Sequence, residues 1–463
     1  MTSNLDAALT QLDATRDAQV ARLSELLAIP SVSTDPAYGE HVARAAAWVA
    51  EHLRGSGLDA EVLRTDGHPA VVASTPADRV APADAPRVLF YGHYDVQPPD
   101  PLELWQTPAF EPTLRDGAVY ARGASDDKGQ VMCFLEALRA YAEAGVKLPC
   151  HVTVLIEGEE EMGSVHLPAF IERERQRFAA DVVVVSDTAM WNARTPSIVY
   201  ALRGLLYFDI QLHGTMRDLH SGVYGGAVAN PAIILTQILA RLFDRDGRVT
   251  VPGYYDDVQT LSHEERQRWA ELAFDEDAWL AEIGADRTYG ETGYTTLERL
   301  WARPSCDING LYGGYGGEGA KTIVPSFAGA KVSFRLAADQ DPDAIAEAFK
   351  AWLAEQQTWG LKWRVTELGR AAPVAVATDS PWVKAAAQAV QAAAGQAPVL
   401  MREGATIPVV ATFKQKLGLD SLLVGFGLHS DNIHAPNEHL GLERFELGCR
   451  THARLLAEMG AIG

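Results

Sequence analysis

Four short, strongly apolar segments recur along the chain and constrain its fold more than any other feature. They are RVLFY at 87–91, HVTVLI at 151–156, DVVVVS at 181–186 and SLLVG at 421–425. Apolar runs of this length are typical of strands that are buried on both faces of a parallel sheet. Between the first two, a helix is predicted from about Gln130, with apolar residues at helical spacing: Val131, Phe134, Leu135 and Leu138. The pattern predicts an α/β fold with a mostly parallel sheet flanked by helices.

The middle of the chain has a different spacing of apolar residues. The segments LYFDIQL and KVSFRL alternate apolar and polar residues, as in strands with one exposed face. Each is followed by a helical pattern, built from Leu235, Ile238, Leu239 and Leu242 in one case and from Ile345, Phe349 and Trp352 in the other. Two such units predict a separate α+β domain inserted at 201–370. Residues 1–200 and 371–463 then form one discontinuous domain.

Charge and composition exclude several function classes. The 463 residues contain 40 Lys and Arg against 61 Asp and Glu, a net charge of −21, which argues against a nucleic-acid surface. No segment approaches the ~18 apolar residues of a membrane span, so no membrane partner is expected. The N-terminus lacks the basic start and apolar run of a secretory signal, and the four scattered cysteines form no CxxC pair. We therefore expect a cytoplasmic protein.

Histidine and acidic residues follow the ends of the predicted strands or precede the helix. They are His93 and Asp95 in YGHYD, Asp126 in RGASDDKG, Glu160 and Glu161 in EGEEEMGS, Asp187 in VVVVSD, and His434 in HSDNIHAPNE. In open α/β sheets, ligands bind beyond the carboxyl ends of the strands. Carboxylates mixed with imidazole suit zinc, manganese or cobalt, and so many acids in one crevice repel each other unless cations lie between them. The set predicts a metal centre.

Each motif alone has a simpler interpretation. The pair His93 and Asp95 could form a structural hydrogen bond, and EGEEEMGS could be a solvated acidic loop. Asp126 could cap the helix that follows it, since Asp at that position accepts free backbone N–H groups. His434 could be a polar residue with ordinary partners. Their joint occurrence at strand ends and glycine turns of one domain favours the metal centre.

The order of these motifs resembles one branch of a known enzyme family. The motifs are YGHYDVQP, RGASDDKGQ, EGEEEMGS, VVSD, DLHSGVYGG, KTIVP, FRL, REGATIP and HAPNE, from about residue 20 to the end. They resemble the cytosolic dipeptidase/carnosinase branch of the aminoacylase-like co-catalytic zinc metallopeptidases. The resemblance implies a homodimeric dipeptidase with two divalent metal ions per subunit, zinc before manganese or cobalt. It also implies that the inserted domain is a lid and dimerisation domain.

The resemblance implies a role for each candidate residue. The implied ligands are His93 and Glu161 for one metal, His434 and Asp187 for the other, and Asp126 as the bridge between them. Asp95 would orient His93, and Glu160 would be the general base. The resemblance also implies a cis peptide bond between Asp126 and Asp127.

The remaining implied roles belong to the inserted domain and the REGATIP motif. His220 would stabilise the oxyanion and Arg335 would bind the substrate carboxylate. Without the resemblance, His220 would be interpreted as a structural histidine in a loop and Arg335 as a surface arginine. Implied hydrogen-bonding contacts to the substrate come from Thr322, Gly404 and Thr406.

The sequence also departs from the resemblance, and it leaves two rival functions open. Glu159 and Met162 stand where an apolar and a small residue are expected, and Thr406 stands where serine is common. One rival is deacylation of N-acyl amino acids, because those substrates also carry an amide next to a carboxylate. The other is a non-catalytic homologue that uses the fold to dimerise or to bind small molecules.

Overall fold

The computed structural model describes residues 2–462, which fold into two compact units. The first unit comprises the chain up to Tyr200, Val376–Met401 and the chain from Thr412 onward. The second unit comprises Ala201–Ala375 and Arg402–Ala411. It therefore contains the expected insertion at 201–370 together with residues 371–375 and 402–411, which were expected to belong to the discontinuous domain. Within residues 2–462, no helix is both long and apolar enough to cross a membrane.

The elements are numbered in chain order. The strands are β1 (Asp59–Leu63), β2 (Ala70–Ser74), β3 (Arg87–His93), β4 (Thr113–Arg115), β5 (Ala118–Tyr120), β6 (His151–Glu157), β7 (Val182–Val185), β8 (Ser197–Leu202), β9 (Gly204–His213), β10 (Leu219–His220), β11 (Ser305–Gly313), β12 (Ile323–Val324), β13 (Phe327–Leu336), β14 (Lys362–Ala371), β15 (Val374–Ala375), β16 (Val399–Glu403), β17 (Ser421–Leu423) and β18 (His439–Gly441). The helices are α1 (Thr2–Ala14), α2 (Arg16–Leu27), α3 (Gly39–Gly55), α4 (Lys128–Glu143), α5 (Leu167–Arg173), α6 (Ser221–Tyr224), α7 (Pro231–Ala240), α8 (His263–Ala270), α9 (Glu276–Ile283), α10 (Thr296–Trp301), α11 (Pro342–Glu355), α12 (Pro381–Ala394), α13 (Pro408–Thr412) and α14 (Leu442–Met459).

The first unit is built on a large sheet with the strand order β1-β2-β6-β3-β7-β17-β8. Strand β3 pairs in parallel with β6 and β7, and β17 pairs in parallel with β7. The flanking pairs β1–β2, β2–β6 and β17–β8 are antiparallel. The four parallel strands are the four that the apolar segments predicted, so this part of the fold prediction is confirmed. Their carboxyl ends lie at one edge of the sheet.

Helices pack against this sheet and against each other. Helix α3 lies on β1 and β2, α4 on β3 and α12 on β17, while α14 packs on α4 and α12. The predicted apolar face of α4 is buried: Val131, Phe134, Leu135 and Leu138 are at most 1% exposed. Burial of such side chains stabilises a fold by about 1.5–3 kcal/mol each. This core holds the strand ends and the start of α4 in fixed positions.

The second unit contains an antiparallel sheet with the order β11-β13-β9-β14. Along β9, buried and half-buried residues alternate without exception, as the period-two pattern predicted. Its buried face packs with α7 and α11, and the core includes Phe208, Phe334 and Phe349. The two predicted strand–helix units are thus confirmed.

Candidate metal centre

The parallel strands of the first unit deliver the candidate ligands to one edge of the sheet. His93 is the last residue of β3, and Asp187 follows the end of β7. Glu161 lies in a short turn after β6, and Asp126 lies immediately before α4. His434 comes from the loop between β17 and β18. Because β3, β6 and β7 are parallel neighbours, their carboxyl ends meet at this edge.

The structure brings all five predicted ligands into two overlapping groups. One group is His93, Asp126 and Asp187, and the other is Asp126, Glu161 and His434; within each, the donor atoms lie within 4.8 Å of one another. Asp126 belongs to both. Its Oδ1 lies 3.1 Å from His93 Nε2 and its Oδ2 lies 2.9 Å from His434 Nε2. One carboxylate thus turns its two oxygens towards two imidazoles, as a bridging ligand does.

The pairing of the outer ligands is the reverse of the one that the resemblance implied. Asp187 belongs with His93, at 3.9 Å, and Glu161 belongs with His434, at 3.2 Å. The reason for the first pair is that β3 and β7 are adjacent parallel strands, so residues just beyond their ends come together. Glu161 instead leaves its strand through a turn that carries it to His434. The expected assignment of Glu161 to the His93 metal was therefore wrong.

The electrostatics of this cluster favour positive charge among the carboxylates. Hydrogen bonds to Asp126 and Glu161 raise the pKa of His434 to about 10. Burial, with Asp126 nearby, raises the pKa of Asp187 to about 7. Burial also opposes ionisation of Asp126, but hydrogen bonds with His434 and His93 outweigh it and hold the pKa of Asp126 below its usual range. Divalent cations can take the place of the protons on these groups, since metal ligands bind in their deprotonated forms.

The donor chemistry fits a pair of divalent metal ions. Each group offers carboxylate and imidazole donors and no thiolate, a set that suits zinc, manganese or cobalt. Asp126, which both groups share, would be the residue held in common by two adjacent ions. The peptide bond between Asp126 and Asp127 is cis, as the resemblance implied.

Asp95 links His93 to the glutamate turn. His93 Nδ1 lies 3.1 Å from the backbone oxygen of Asp95 and 3.4 Å from its carboxylate. The same carboxylate accepts the backbone N–H groups of Glu160 and Glu161 at 3.2 and 3.1 Å. A contact to the far nitrogen of a ligating histidine fixes its tautomer and ring orientation. Asp95 therefore orients one imidazole and holds the turn that carries Glu161.

Glu160 lies beside the donors without belonging to either group. Burial raises the pKa of its carboxyl well above the usual range; His93 opposes this shift, and Asp187 and Glu161 add to it. A carboxyl with a raised pKa can both accept and return a proton near neutral pH. This position suits the general base that the resemblance implied.

Sequence reasoning missed the buried charges around the centre. Glu438 and Asp431 are fully buried and pair with Arg122 and Arg444 respectively. Asp127, also fully buried, accepts the backbone N–H of His93 at 3.2 Å. Their positions in the sequence could have indicated these residues, because Glu438 belongs to the HAPNE motif of His434 and Asp127 follows Asp126.

Glu159, which departs from the resemblance, has local partners that explain it. Its carboxylate accepts the backbone N–H of His68 at 2.9 Å and lies 3.0 Å from His166 Nδ1. Burying an acidic side chain is costly unless it is paired, and these contacts provide the pairing.

In the second unit, the structure places His220 beside Thr322. His220 pairs with Ile323 across β10 and β12, and the backbone N–H of Ser221 bonds the carbonyl oxygen of Thr322 at 3.0 Å. His220 Nδ1 accepts the backbone N–H of Gly222 at 3.0 Å. In the neutral ring the proton then sits on Nε2, which is free to donate a hydrogen bond.

A second cluster in the same unit brings Arg335, Gly404 and Thr406 together around Arg203. Arg335 Nη1 donates to Thr406 Oγ1 at 2.9 Å, and that hydroxyl donates in turn to the carbonyl oxygen of Arg203. Arg203 Nε donates to the carbonyl oxygen of Gly404 at 3.0 Å. Burial and the neighbouring Arg335 lower the pKa of Arg203 to about 10. The cluster concentrates two guanidinium groups, which suits recognition of a carboxylate.

These two clusters lie at opposite ends of one long strand. Arg335 is the penultimate residue of β13, whose ten residues span on the order of 30 Å. Ser326, just before the other end of β13, accepts the backbone N–H of Gly214 at 2.8 Å. Beyond this end of β13, the chain segments that continue from β9 and lead into β13 pair again as the antiparallel strands β10 and β12, which carry His220. Within the second unit, His220 and Thr322 are therefore far from Arg335 and Thr406.

Comparison with known proteins identifies the family. The model of peptidase family M20/M25/M40 matches residues 89–458. A Cys-Gly metallodipeptidase of Candida albicans is 31% identical over 454 residues, covering 93% of this chain and 92% of that protein. The human Beta-Ala-His dipeptidase is 30% identical over 474 residues, covering 99% and 93%. The crystal structure of an M20 family metallo-carboxypeptidase from Sulfolobus solfataricus superimposes with a TM-score of 0.86 at 33% identity, covering 96% of this chain and 99% of that chain. The chain belongs to peptidase family M20/M25/M40.

Proposed function

We propose that this chain is a metallodipeptidase that hydrolyses the amide bond of dipeptides at a centre of two divalent metal ions. The observation that carries the proposal is the pair of donor groups sharing Asp126, with Glu160 beside them. Relatives that match over nearly their whole length are named as dipeptidases, which supports the same reaction class here. Zinc is the metal proposed, because the donors mix imidazole with carboxylate.

The residues of the centre divide the reaction between them. When bound, two divalent ions would supply Lewis-acid polarisation of the scissile carbonyl and a water of lowered pKa. Glu160 accepts a proton from the attacking water on a carboxylate oxygen. It then donates that proton to the nitrogen of the leaving amine as the amide bond breaks. Asp95 keeps His93 and the glutamate turn in place throughout.

The second unit supplies recognition of the substrate in this proposal. The Arg335 guanidinium binds the free carboxylate of the dipeptide, with Gly404 and Thr406 beside it. His220 donates from Nε2 to the carbonyl oxygen as negative charge develops there, and Thr322 contacts the substrate next to it. A backbone or side-chain donor aimed at the oxyanion is worth about 3–4 kcal/mol of transition-state stabilisation.

The positions of His220 and Arg335 support a homodimer with shared sites. A dipeptide is only about 7 Å long in extended form, far less than the length of β13. One substrate therefore cannot contact both His220 and Arg335 of the same second unit. If Arg335 binds the carboxylate, His220 must come from a partner subunit, in an isologous dimer.

Exposed apolar residues of the second unit support the same proposal. Met216 is fully exposed, and Val223 is 67% exposed. Strand β11 is an edge strand of its sheet, with Leu311 59% exposed. Exposed apolar side chains and a free strand edge are features of a surface that pairs with another chain.

The rival activity is deacylation of N-acyl amino acids, which needs the same metals and the same carboxylate. The experiment compares hydrolysis of glycyl- and β-alanyl-dipeptides with hydrolysis of N-acetyl amino acids by the zinc-loaded protein. Higher kcat/KM on the dipeptides supports the proposal, and higher kcat/KM on the N-acetyl compounds overturns it in favour of the deacylase. No hydrolysis of either class would favour the non-catalytic alternative.

We place the enzyme in the cytoplasm, because all four cysteines are free thiols buried in the fold.

A further inference from the structure

Glu438 is a fully buried carboxylate whose hydrogen bonds converge on a single turn. Its Oε2 accepts Arg122 Nη1 at 2.7 Å and the backbone N–H of Gly123 at 3.0 Å. Its Oε1 accepts the backbone N–H groups of Ser125 and Asp126 at 2.9 and 3.0 Å. Each oxygen therefore accepts two bonds, and all four donors belong to residues 122–126.

The turn held in this way is the one that presents the bridging ligand. The backbone N–H of Asp126 points at Glu438, while its side-chain oxygens face His93 and His434. Fixing the backbone of Asp126 fixes the direction of its carboxylate, because a short side chain has few rotamers. Since a bridging carboxylate must bind two metal ions at once, small rotations of this turn would displace its oxygens from both metal positions.

A second buried carboxylate ties the same turn to the His434 loop from the other side. Asp431 accepts Ser125 Oγ at 2.9 Å and the backbone N–H of Leu428 at 2.8 Å. Both of its oxygens also accept Arg444, at 2.6 Å each. Asp431 precedes His434 in the chain and Glu438 follows it, so the loop carrying His434 is anchored to the Asp126 turn at both ends.

We propose that Glu438, assisted by Asp431, is a positioning residue that sets the distance between Asp126 and His434 and so prepares the metal centre for binding. Glu438 belongs to neither donor group and is fully buried. It acts by holding the bridging ligand from one part of the chain against a terminal ligand from another. The inference rests on the proposed metal centre and extends it to residues outside the five ligands.

Glu136 is a matched control for a purely structural role. It is 1% exposed, lies in the same unit, and accepts Arg22 Nε and Nη2 at 2.7 and 2.5 Å. Its carboxylate thus pairs with a guanidinium as that of Glu438 does, but it does not bond the Asp126 turn. In both Glu438→Gln and Glu136→Gln the new NH2 group must face donors, whichever way the amide turns. Both variants should therefore lose stability, and only one should lose metal affinity.

The experiment measures zinc affinity of chelator-stripped protein by competition with a chromophoric chelator, together with thermal unfolding of the metal-free forms. Glu438→Gln should bind zinc roughly 10–100-fold more weakly than wild type, the usual effect of changing a residue that orients metal ligands. Glu136→Gln should bind zinc within about twofold of wild type, although its unfolding temperature also falls. Arg122→Lys, a milder change that keeps the charge but loses the fixed fork, should weaken zinc binding by a smaller factor.

The outcomes separate failure of this inference from failure of the metal centre. Wild-type zinc affinity in folded Glu438→Gln would overturn the positioning role. An equal loss in Glu136→Gln would overturn it as well, because the effect would then be general destabilisation. If Glu438→Gln does not fold, Arg122→Lys decides, and unchanged affinity in that variant overturns the inference. Failure of the wild-type protein to bind zinc or another divalent ion would instead overturn the proposed metal centre itself.

Discussion

Asp126 Oδ2 lies 2.9 Å from His434 Nε2, joining the turn before α4 to a loop near the C-terminal end of the chain. No local sequence pattern produces this contact; it results from parallel strands that bring distant segments to one sheet edge. In the proposed centre, the metal position at Glu161 would therefore depend on the C-terminal loop. Substitutions at this edge should therefore affect metal binding and catalysis in separable ways.

The first prediction separates the base from the ligand at the adjacent glutamates. Glu160→Gln should keep both metal ions and lose about 10²–10⁴-fold in kcat, the usual share of general acid–base catalysis. Glu161→Gln should instead weaken one metal ion, since Glu161 belongs to the His434 group. Metal content of dialysed protein and steady-state rates give both quantities. Loss of metal from Glu160→Gln with full metal in Glu161→Gln would reverse the assignment.

The second prediction tests the shared site. His220→Ala should be nearly inactive and fully metallated, because the loss of one oxyanion donor costs about 3–4 kcal/mol in the transition state alone. It is then mixed with inactive Glu160→Gln under conditions that exchange subunits. With random pairing, about half of the dimers are mixed, and each has one intact site of two. Activity should return to about a quarter of wild type; demonstrated exchange without any return of activity would place His220 in its own subunit's site or in none.

The third prediction concerns Thr406, whose hydroxyl accepts from Arg335 and donates to Arg203. Thr406→Val removes both bonds and leaves Arg335 less well fixed. Hydrogen bonds to charged groups contribute about 1.5–3 kcal/mol, so kcat/KM for a dipeptide should fall roughly tenfold or more, chiefly through KM. The preference for a dipeptide over its C-terminal amide should shrink as well. Thr406→Ser keeps the hydroxyl and is the control; equal behaviour of the Val and Ser variants would argue against this role.

The fourth prediction concerns stability below neutral pH. Burial lowers the pKa of His452 from 6.5 to about 3, so between these values the unfolded chain binds a proton that the folded protein does not. Its contribution to stability is present above pH 6.5 and is lost as the pH falls from 6.5 towards 3. The slope is at most about 1.4 kcal/mol per pH unit.

The matched measurement uses His452→Leu, in which Ser186 keeps its bond to the carbonyl oxygen of Val424. The free energy of unfolding of chelator-stripped protein is measured in urea from pH 7.5 to 5. It should decline less steeply in His452→Leu than in wild type. The exposed His263→Gln should follow the wild-type slope. Identical slopes for all three proteins would show that His452 does not contribute.

The sequence predicted the parallel strands and the ligands because both follow from local patterns. An apolar run predicts a buried strand, and an Asp or His just after it lies at the sheet edge. The buried pair of Glu438 and Arg122 gave no such signal, because a charged residue has the same appearance in a sequence whether it is solvated or paired. The grouping of Asp187 with His93 also could not be predicted from the sequence. It depends on β7 lying next to β3 in the sheet, and strand order is not written in any one segment.

The most direct test of the dinuclear centre is a zinc titration of chelator-stripped protein that follows bound metal and dipeptide hydrolysis in the same samples. We expect two tightly bound ions per chain in the wild type, with hydrolysis absent before loading and maximal when both are bound. Asp126→Asn should disturb both positions, because Asp126 belongs to both donor groups. Full hydrolysis by the stripped protein, or saturation of activity and binding at one ion per chain, would contradict the dinuclear centre.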